Sequence, residues 1–489
     1  MYNKLVFSKR FFFLTLFFSV ALTTAQLVAE ATDVKDFGAT GDGRTDDTEA
    51  IRNAIRHAED GLLEFPKGNY RITQTLEIPL AEVGTLGISG KGGAARITMA
   101  GAGPALRIVG SHDKGSALPA TVQPITWEKE RMPLVANLEI VGAHPDADGI
   151  ALVNTLMPTL TGVLIREVRH GIHLLSRNRN VLIDACHVYN VRGVGIYLDE
   201  VNIHQMIISA SHISYCQGGG IKVRGGEIRN FQITGNDIEY NCNPEGAVSA
   251  DVWIDCSQGG DVREGTIVGN TIQAIHSPNG ANIRFTGTPD NPDKIGLWSI
   301  SDNHIGNQAF AIDLDHCRGI TITGNTFMRG YDRHMRVTHS KNILVNSNVF
   351  DHNPDYYTLG VDIPGGITID NTDYLTLNDN IIEGAGYGNE ADGGAVVITN
   401  SQQVSVRGTH IHNARHNGIR IAQSSYVQVT DCSIEQAPDR TEMAAGIVLD
   451  GDCLYTVIRQ NQVGKGKAGA IVNRAEGAIV EQNQFIQEE

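Results

Sequence analysis

The chain has 489 residues, 41% of them apolar and only 6% aromatic, with 54 glycines and a formal net charge of −16. That acidic balance argues against nucleic acid as a partner, although a local cationic strip can still meet an acidic glycan. Length alone divides such a chain into two or more domains, but internal repetition overrules the division.

In chain order, Lys4, Lys9 and Arg10 precede an apolar stretch from Phe11 to Leu22, and small residues follow in Thr23-Thr24-Ala25 and Ala29-Glu30-Ala31. This order reads as a secretory signal peptide over residues 1–31, with cleavage after Ala25 or Ala31. The apolar core is shorter than the ~20 residues of a membrane span and no second such run follows. The mature protein, residues 32–489, is therefore expected to be secreted or periplasmic and free of the membrane.

Thr45-Asp46-Asp47-Thr48-Glu49 leads into Ala50, Ile51, Ala54, Ile55 and Ala58, which predicts an amphipathic helix with a capping-type start. Within a cap over residues 32–80, such a helix would cover the open end of a repeat array.

From residue 149 one five-residue phrase returns about every 22 to 32 residues, a solenoid period. It reads G-I-A-L-V from Gly149, G-I-H-L-L from Gly171, G-I-Y-L-D from Gly195, G-I-K-V-R from Gly220 and D-V-W-I-D from Asp251. Then come N-I-R-F-T from Asn282, A-I-D-L-D from Ala311, H-M-R-V-T from His334 and G-I-T-I-D from Gly366, and four more up to Gly469. Apolar second and fourth positions predict a strand with one buried face. An Asn two residues before an apolar side chain follows many phrases, as in Asn236, Asn270, Asn303, Asn325, Asn348, Asn380 and Asn483. Left-handed turns of one shape would produce that ladder. The prediction is an all-β chain, one parallel solenoid of about 13 coils over residues 149–489. Seven cysteines show no metal-ligand spacing; their connectivity is not readable from the sequence, Cys216 and Cys242 from successive repeats being the foremost candidate pair, and an odd count leaves at least one thiol free.

The stretch from Asp33 to Ile51, D-V-K-D-F-G-A-T-G-D-G-R-T-D-D-T-E-A-I, and Phe65-Pro66-Lys67-Gly68-Asn69-Tyr70 after it resemble the N-terminal cap of the pectate lyase superfamily. The resemblance implies a right-handed parallel β-helix. It leaves the reaction open among polygalacturonase-like hydrolysis, lyase chemistry and uronan epimerisation, and between enzyme and tailspike-like glycan binder.

Stacked coils align the third phrase positions in one outward column: His173, Tyr197, Lys222, Trp253, Arg284, Asp313, Arg336 and Thr368 in its central part. The fifth positions form a second column, including Asp199, Arg224, Asp255, Asp315 and Asp370. Insertions at 243–251, 286–295, 353–365 and 385–393 would wall this face into a cleft. Lys222, Asp255, Arg284, Asp313, Asp315 and Arg336 are the catalytic candidates. His173, Tyr197, Asp199, Arg224, Trp253 and Asp370 are the candidate substrate contacts. β-Elimination on an acidic, uronate-containing polysaccharide needs its carboxylate neutralised, a base and a proton donor. Lys222, Arg284 and Arg336 supply cations, and a Lys crowded by Arg loses its proton more readily. Alternatively Asp255, Asp313 and Asp315 hold a Ca²⁺, the one cofactor the sequence raises. Inverting hydrolysis is the alternative reaction, since Asp313 and Asp315 lie roughly 7 Å apart along a strand. The hydrolases of this fold carry an N-T-D, D-D and G-H-G series from which this chain departs, and the epimerase motif D-P-H-D is absent, with Asp313-Leu-Asp-His316 only a faint echo.

Overall fold

The computed structural model describes residues 31–115, 118–353 and 361–486, so the signal-peptide expectation rests on a segment outside the described residues. No helix in the described part is long and apolar enough to cross a membrane. The chain is a right-handed parallel β-helix whose successive coils pair in parallel. A typical coil contributes three strands, for example Ile221–Arg224, Glu227–Thr234 and Asp237–Asn241, each paired to its counterpart one coil on.

The phrase register is the predicted one. Ile196 pairs with Ile221, Ile221 with Val252, Val252 with Ile283, Ile283 with Ile312, Ile312 with Met335 and Met335 with Ile367. All of these are buried in one apolar core running from Val34 to Val463. Coils also begin earlier than the first phrase, since Leu76 pairs with Leu106 and Leu106 with Ile150. The glycine that opens many phrases is required by close stacking: a Cβ on Gly171 would lie 2.4 Å from the Gly195 carbonyl oxygen.

The cap helix is Thr48–His57, and it buries Ile51, Ala54 and Ile55 against the strand Leu76–Pro79 and the turn Val34–Phe37. Its start differs from a capping box. Asp46 Oδ1 accepts from the Thr48 amide, whereas the buried Asp47 carboxylate turns away and accepts from Thr40 and Gly41.

The asparagine ladder is present, but its physical basis differs from the expected left-handed turn. The left-handed residue is the one before each Asn, as in Gly235, Gly269, Asp302, Gly324, Ser347 and Asp379. The Asn itself points inward and bonds between coils. Asn303 Nδ2 donates to Asn325 Oδ1 (2.9 Å) and to the Ile267 carbonyl (3.0 Å), while its Oδ1 accepts from the amide and Nδ2 of Asn270. The same contacts link Asn236 through Asn380, supplying partners for buried groups at the corner of each coil.

The cysteine expectation is corrected: all seven thiols are buried and free, Cys216 and Cys242 included. They sit in the interior as small apolar residues, and burial pushes Cys186 up to about 11, which keeps such thiols protonated.

Candidate functional site

Parallel pairing carries the third positions in the predicted order, Tyr197 beside Lys222, then Trp253, Arg284, Asp313, Arg336 and Thr368. The fifth positions align as Asp199, Arg224, Asp255, Thr286, Asp315, Thr338 and Asp370.

At one end His173 stacks on Tyr197 with ring centroids 5.0 Å apart, and its Nε2 lies 3.3 Å from Asp199 Oδ2. Arg224 Nε donates to the other oxygen of Asp199 at 2.7 Å. Burial, with the Asp199 charge behind it, pushes the Tyr197 hydroxyl up to about 12. Lys222 Nζ sits 4.0 Å from the centre of the Trp253 ring. Its pKa is lowered, as expected, but burial is the main cause; Asp255 opposes the shift and the Arg224 charge adds to it. Trp253 Nε1 donates to Thr286 Oγ1 at 3.2 Å, which fixes the ring. Near Trp253, Arg224, Asp255 and Glu200 line a cavity of about 440 Å³.

In the middle, Asp313 is clasped by two guanidiniums. Arg284 Nε donates to Oδ2 at 2.9 Å, and Arg336 reaches both oxygens at 2.7 Å. Arg284 and Asp313 are 6% and 3% exposed, so this pair is part of the structure beneath the face, not an open surface charge. Arg336 keeps about a third of its side chain exposed. At the far end Asp370 accepts from Thr399, Asn400 and Asn371.

The three aspartates do not converge as a ligand set. Asp313 is committed to arginines, Asp255 accepts from the amide and hydroxyl of Ser257, and Asp315 accepts from Thr338 and His339. For Asp315, burial acts upward, but hydrogen bonds from His339, Thr338 and His316 outweigh it and hold the carboxyl below its ordinary range.

Sequence reasoning missed Phe310, Arg333 and His170. Alternation counted back from Ile312 puts Phe310 inside, yet it lies in a separate apolar cluster with Ala250, Ala281 and Ala309, against which Trp253 packs. Ala311 and Ile312 both lie in the inner core, so the alternation breaks between Phe310 and Ile312 and the Phe310 ring takes the other face. Arg336 and Arg333 both lie over the Phe310 ring, at 4.1 and 5.3 Å, and Arg333 also lies 3.9 Å from the ring of Tyr387 in the 385–393 insertion. His170, just ahead of a phrase, packs 5.2 Å from Tyr197. Its position before the opening glycine was the available signal.

Residues 131–272 and 365–485 match the family model described as the right handed beta helix region, and residues 31–103 match that of rhamnogalacturonase A/epimerase, pectate lyase-like. Alginate lyase 7 of Azotobacter vinelandii is 52% identical over 44 residues, 8% of this chain and 5% of that protein's length. The tailspike protein of E. coli bacteriophage HK620, solved in complex with a hexasaccharide, is similar over 92% of this chain and 80% of its own, at 11% identity and a TM-score of 0.51. The A-module of a mannuronan C-5 epimerase of Azotobacter vinelandii aligns over 94% of this chain and 100% of its own, with 14% identity and a TM-score of 0.33.

Proposed function

The chain belongs to the right-handed β-helix family, and from that premise we propose that it is an enzyme that cleaves an acidic, uronate-containing polysaccharide by β-elimination. The carrying observation is the pairing of Tyr197 with Lys222 on adjacent coils. Burial eases the proton off Lys222 and holds it on Tyr197, which is pushed up to about 12. Opposed tendencies in neighbouring groups are what an acid and base require.

In elimination a base takes the proton beside the sugar carboxylate, a carbon–carbon double bond forms, and the glycosidic C–O bond breaks. The departing oxygen needs a proton. Neutral Lys222 is the base in this reading and the Tyr197 hydroxyl the donor. Arg336 and Arg224, both partly exposed, face the substrate carboxylate, and Trp253 offers a flat ring to a sugar. Cations rather than a calcium triad thus do the neutralising.

Hydrolysis has less support, because it needs a protonated carboxylic acid beside the bond. Asp313 gives both oxygens to arginines, and Asp315 is held ionised. Asp251, pushed up to about 7 by burial, is sealed between Asn241 and Asn282. The pectate lyase-like match and the short likeness to an alginate lyase support a polysaccharide as substrate.

The test is a panel of acidic glycans in which unsaturated-uronate absorbance and reducing ends are followed together. Both should rise in step. Reducing ends without absorbance would establish hydrolysis, and retained glycan with neither would establish a binding protein.

A further inference from the structure

Beside the arginine-clasped Asp313, Asp315 and two histidines converge in a way that the elimination chemistry does not use. Asp315 Oδ1 lies 2.9 Å from His316 Nδ1 and 3.0 Å from His339 Nδ1, and the three ligand atoms are all within 4.8 Å of one another. Among the described residues it is the one such grouping of three His, Cys, Asp or Glu side chains. The rings stack with centroids 4.6 Å apart at 16°.

The backbone builds this arrangement. Asp315 pairs in register with Thr338, so the residue after each strand end, His316 and His339, occupies the same corner of successive coils. Both have left-handed φ, 53° and 48°, and their amides are anchored to the Thr338 and Asp370 carbonyls of the coils that follow. Left-handed φ recurs at this corner of the coils, as in Glu200, Asn371 and Asn400, and it sets the two imidazoles one above the other. The Thr338 hydroxyl donates to the same carboxylate at 2.8 Å, as an outer-shell group that orients a ligand does. His316 Nδ1 is buried, with Asp315 Oδ1 beside it at 2.9 Å.

We infer that Asp315, His316 and His339 form a binding site for a borderline divalent metal ion of the zinc class. Around a tetrahedral ion with bonds of about 2.0–2.1 Å, ligand atoms sit roughly 3.3 Å apart, so the two carboxylate–imidazole spacings need to open by only a few tenths of an ångström. Two imidazoles and one carboxylate select zinc, nickel, cobalt or copper over calcium, which prefers six or more oxygens. Asp315 and His339 are 38% and 48% exposed, which leaves the remaining coordination position open to water or a glycan oxygen from the adjoining face. The site stands independently of the elimination reading.

The test uses the full chain, stripped with chelator and titrated by calorimetry with Zn²⁺ and, separately, Ca²⁺, with Co²⁺ absorption reporting the ligand geometry. One equivalent of Zn²⁺ should bind and raise Tm, and Ca²⁺ should not. His316→Asn and His339→Asn, chosen because Asn tolerates left-handed φ, should each weaken Zn²⁺ binding about 100-fold and abolish the Co²⁺ spectrum, with metal-free Tm showing that both variants fold. Absence of saturable Zn²⁺ binding, unchanged binding in both variants, or equal binding of Ca²⁺ would overturn the site. Loss of cleavage activity plays no part in this test, so it stands or falls separately from the proposed reaction.

Discussion

Arg336 donates two hydrogen bonds to Asp313 across a single coil step, Nε to Oδ1 and Nη2 to Oδ2, both at 2.7 Å. Arg284 holds the same carboxylate from the other side. Asp313→Asn removes the charge between two guanidiniums, one of them buried, and should destabilise the fold by about 3–5 kcal/mol. Arg336→Gln should cost less, because Asp313 keeps Arg284. Chemical denaturation of the two variants checks the order, and equal losses would refute it.

The asparagine ladder should behave as a continuous structure. Asn303→Ala leaves the Asn325 oxygen, the Ile267 carbonyl and two Asn270 donors short of partners, at a cost of about 3 kcal/mol. Asn483, near the last coil and only half-buried, should cost below about 1 kcal/mol when replaced by Ala, since water reaches its partners. Unfolding free energies of the two variants decide it.

Turnover should depend on the opposed protons of Lys222 and Tyr197. Lys222→Met and Tyr197→Phe should each lower kcat about 100-fold or more with little change in KM. In the wild type, activity should rise with pH through a Lys222 pKa below the ordinary lysine value. Steady-state kinetics on a substrate that yields unsaturated product measures both effects. A wild-type pH profile retained in the Lys222→Met variant would remove Lys222 from the mechanism.

Acid should weaken the fold through buried histidine. Burial, with His352 beside it, holds His334 well below the ordinary value, and its Nδ1 accepts from the Gly366 amide. The unfolded chain therefore binds a proton that the folded chain refuses, and stability falls as pH drops through about 6.5. His334→Asn keeps an acceptor but does not titrate. Its stability should fall less steeply between pH 6.5 and 4.5, by up to about 1.4 kcal/mol per pH unit. Parallel denaturation series at several pH values compare the two slopes.

The solenoid was legible in the primary structure because each coil repeats the same local demands: alternation at Ile196, Ile221, Ile283 and Ile312, glycine where coils approach closely, and asparagine at one corner. Register follows from that periodicity, so the outward columns were legible as well. Which outward groups remain open was not. Arg284 and Asp313 look like surface charges in a linear chain, and only the fold buries them against Asn279 and Arg336. Two consecutive inward residues, Ala311 and Ile312, leave the Phe310 ring on the outer face, and strict alternation cannot register such a break. The meeting of Asp315 with His316 and His339 depends on left-handed backbone at two corners 23 residues apart, a conformation that histidine does not announce. Repetition is written locally and can be read locally. Charge pairing, burial and ligand geometry arise between coils, where sequence distance carries no information about contact.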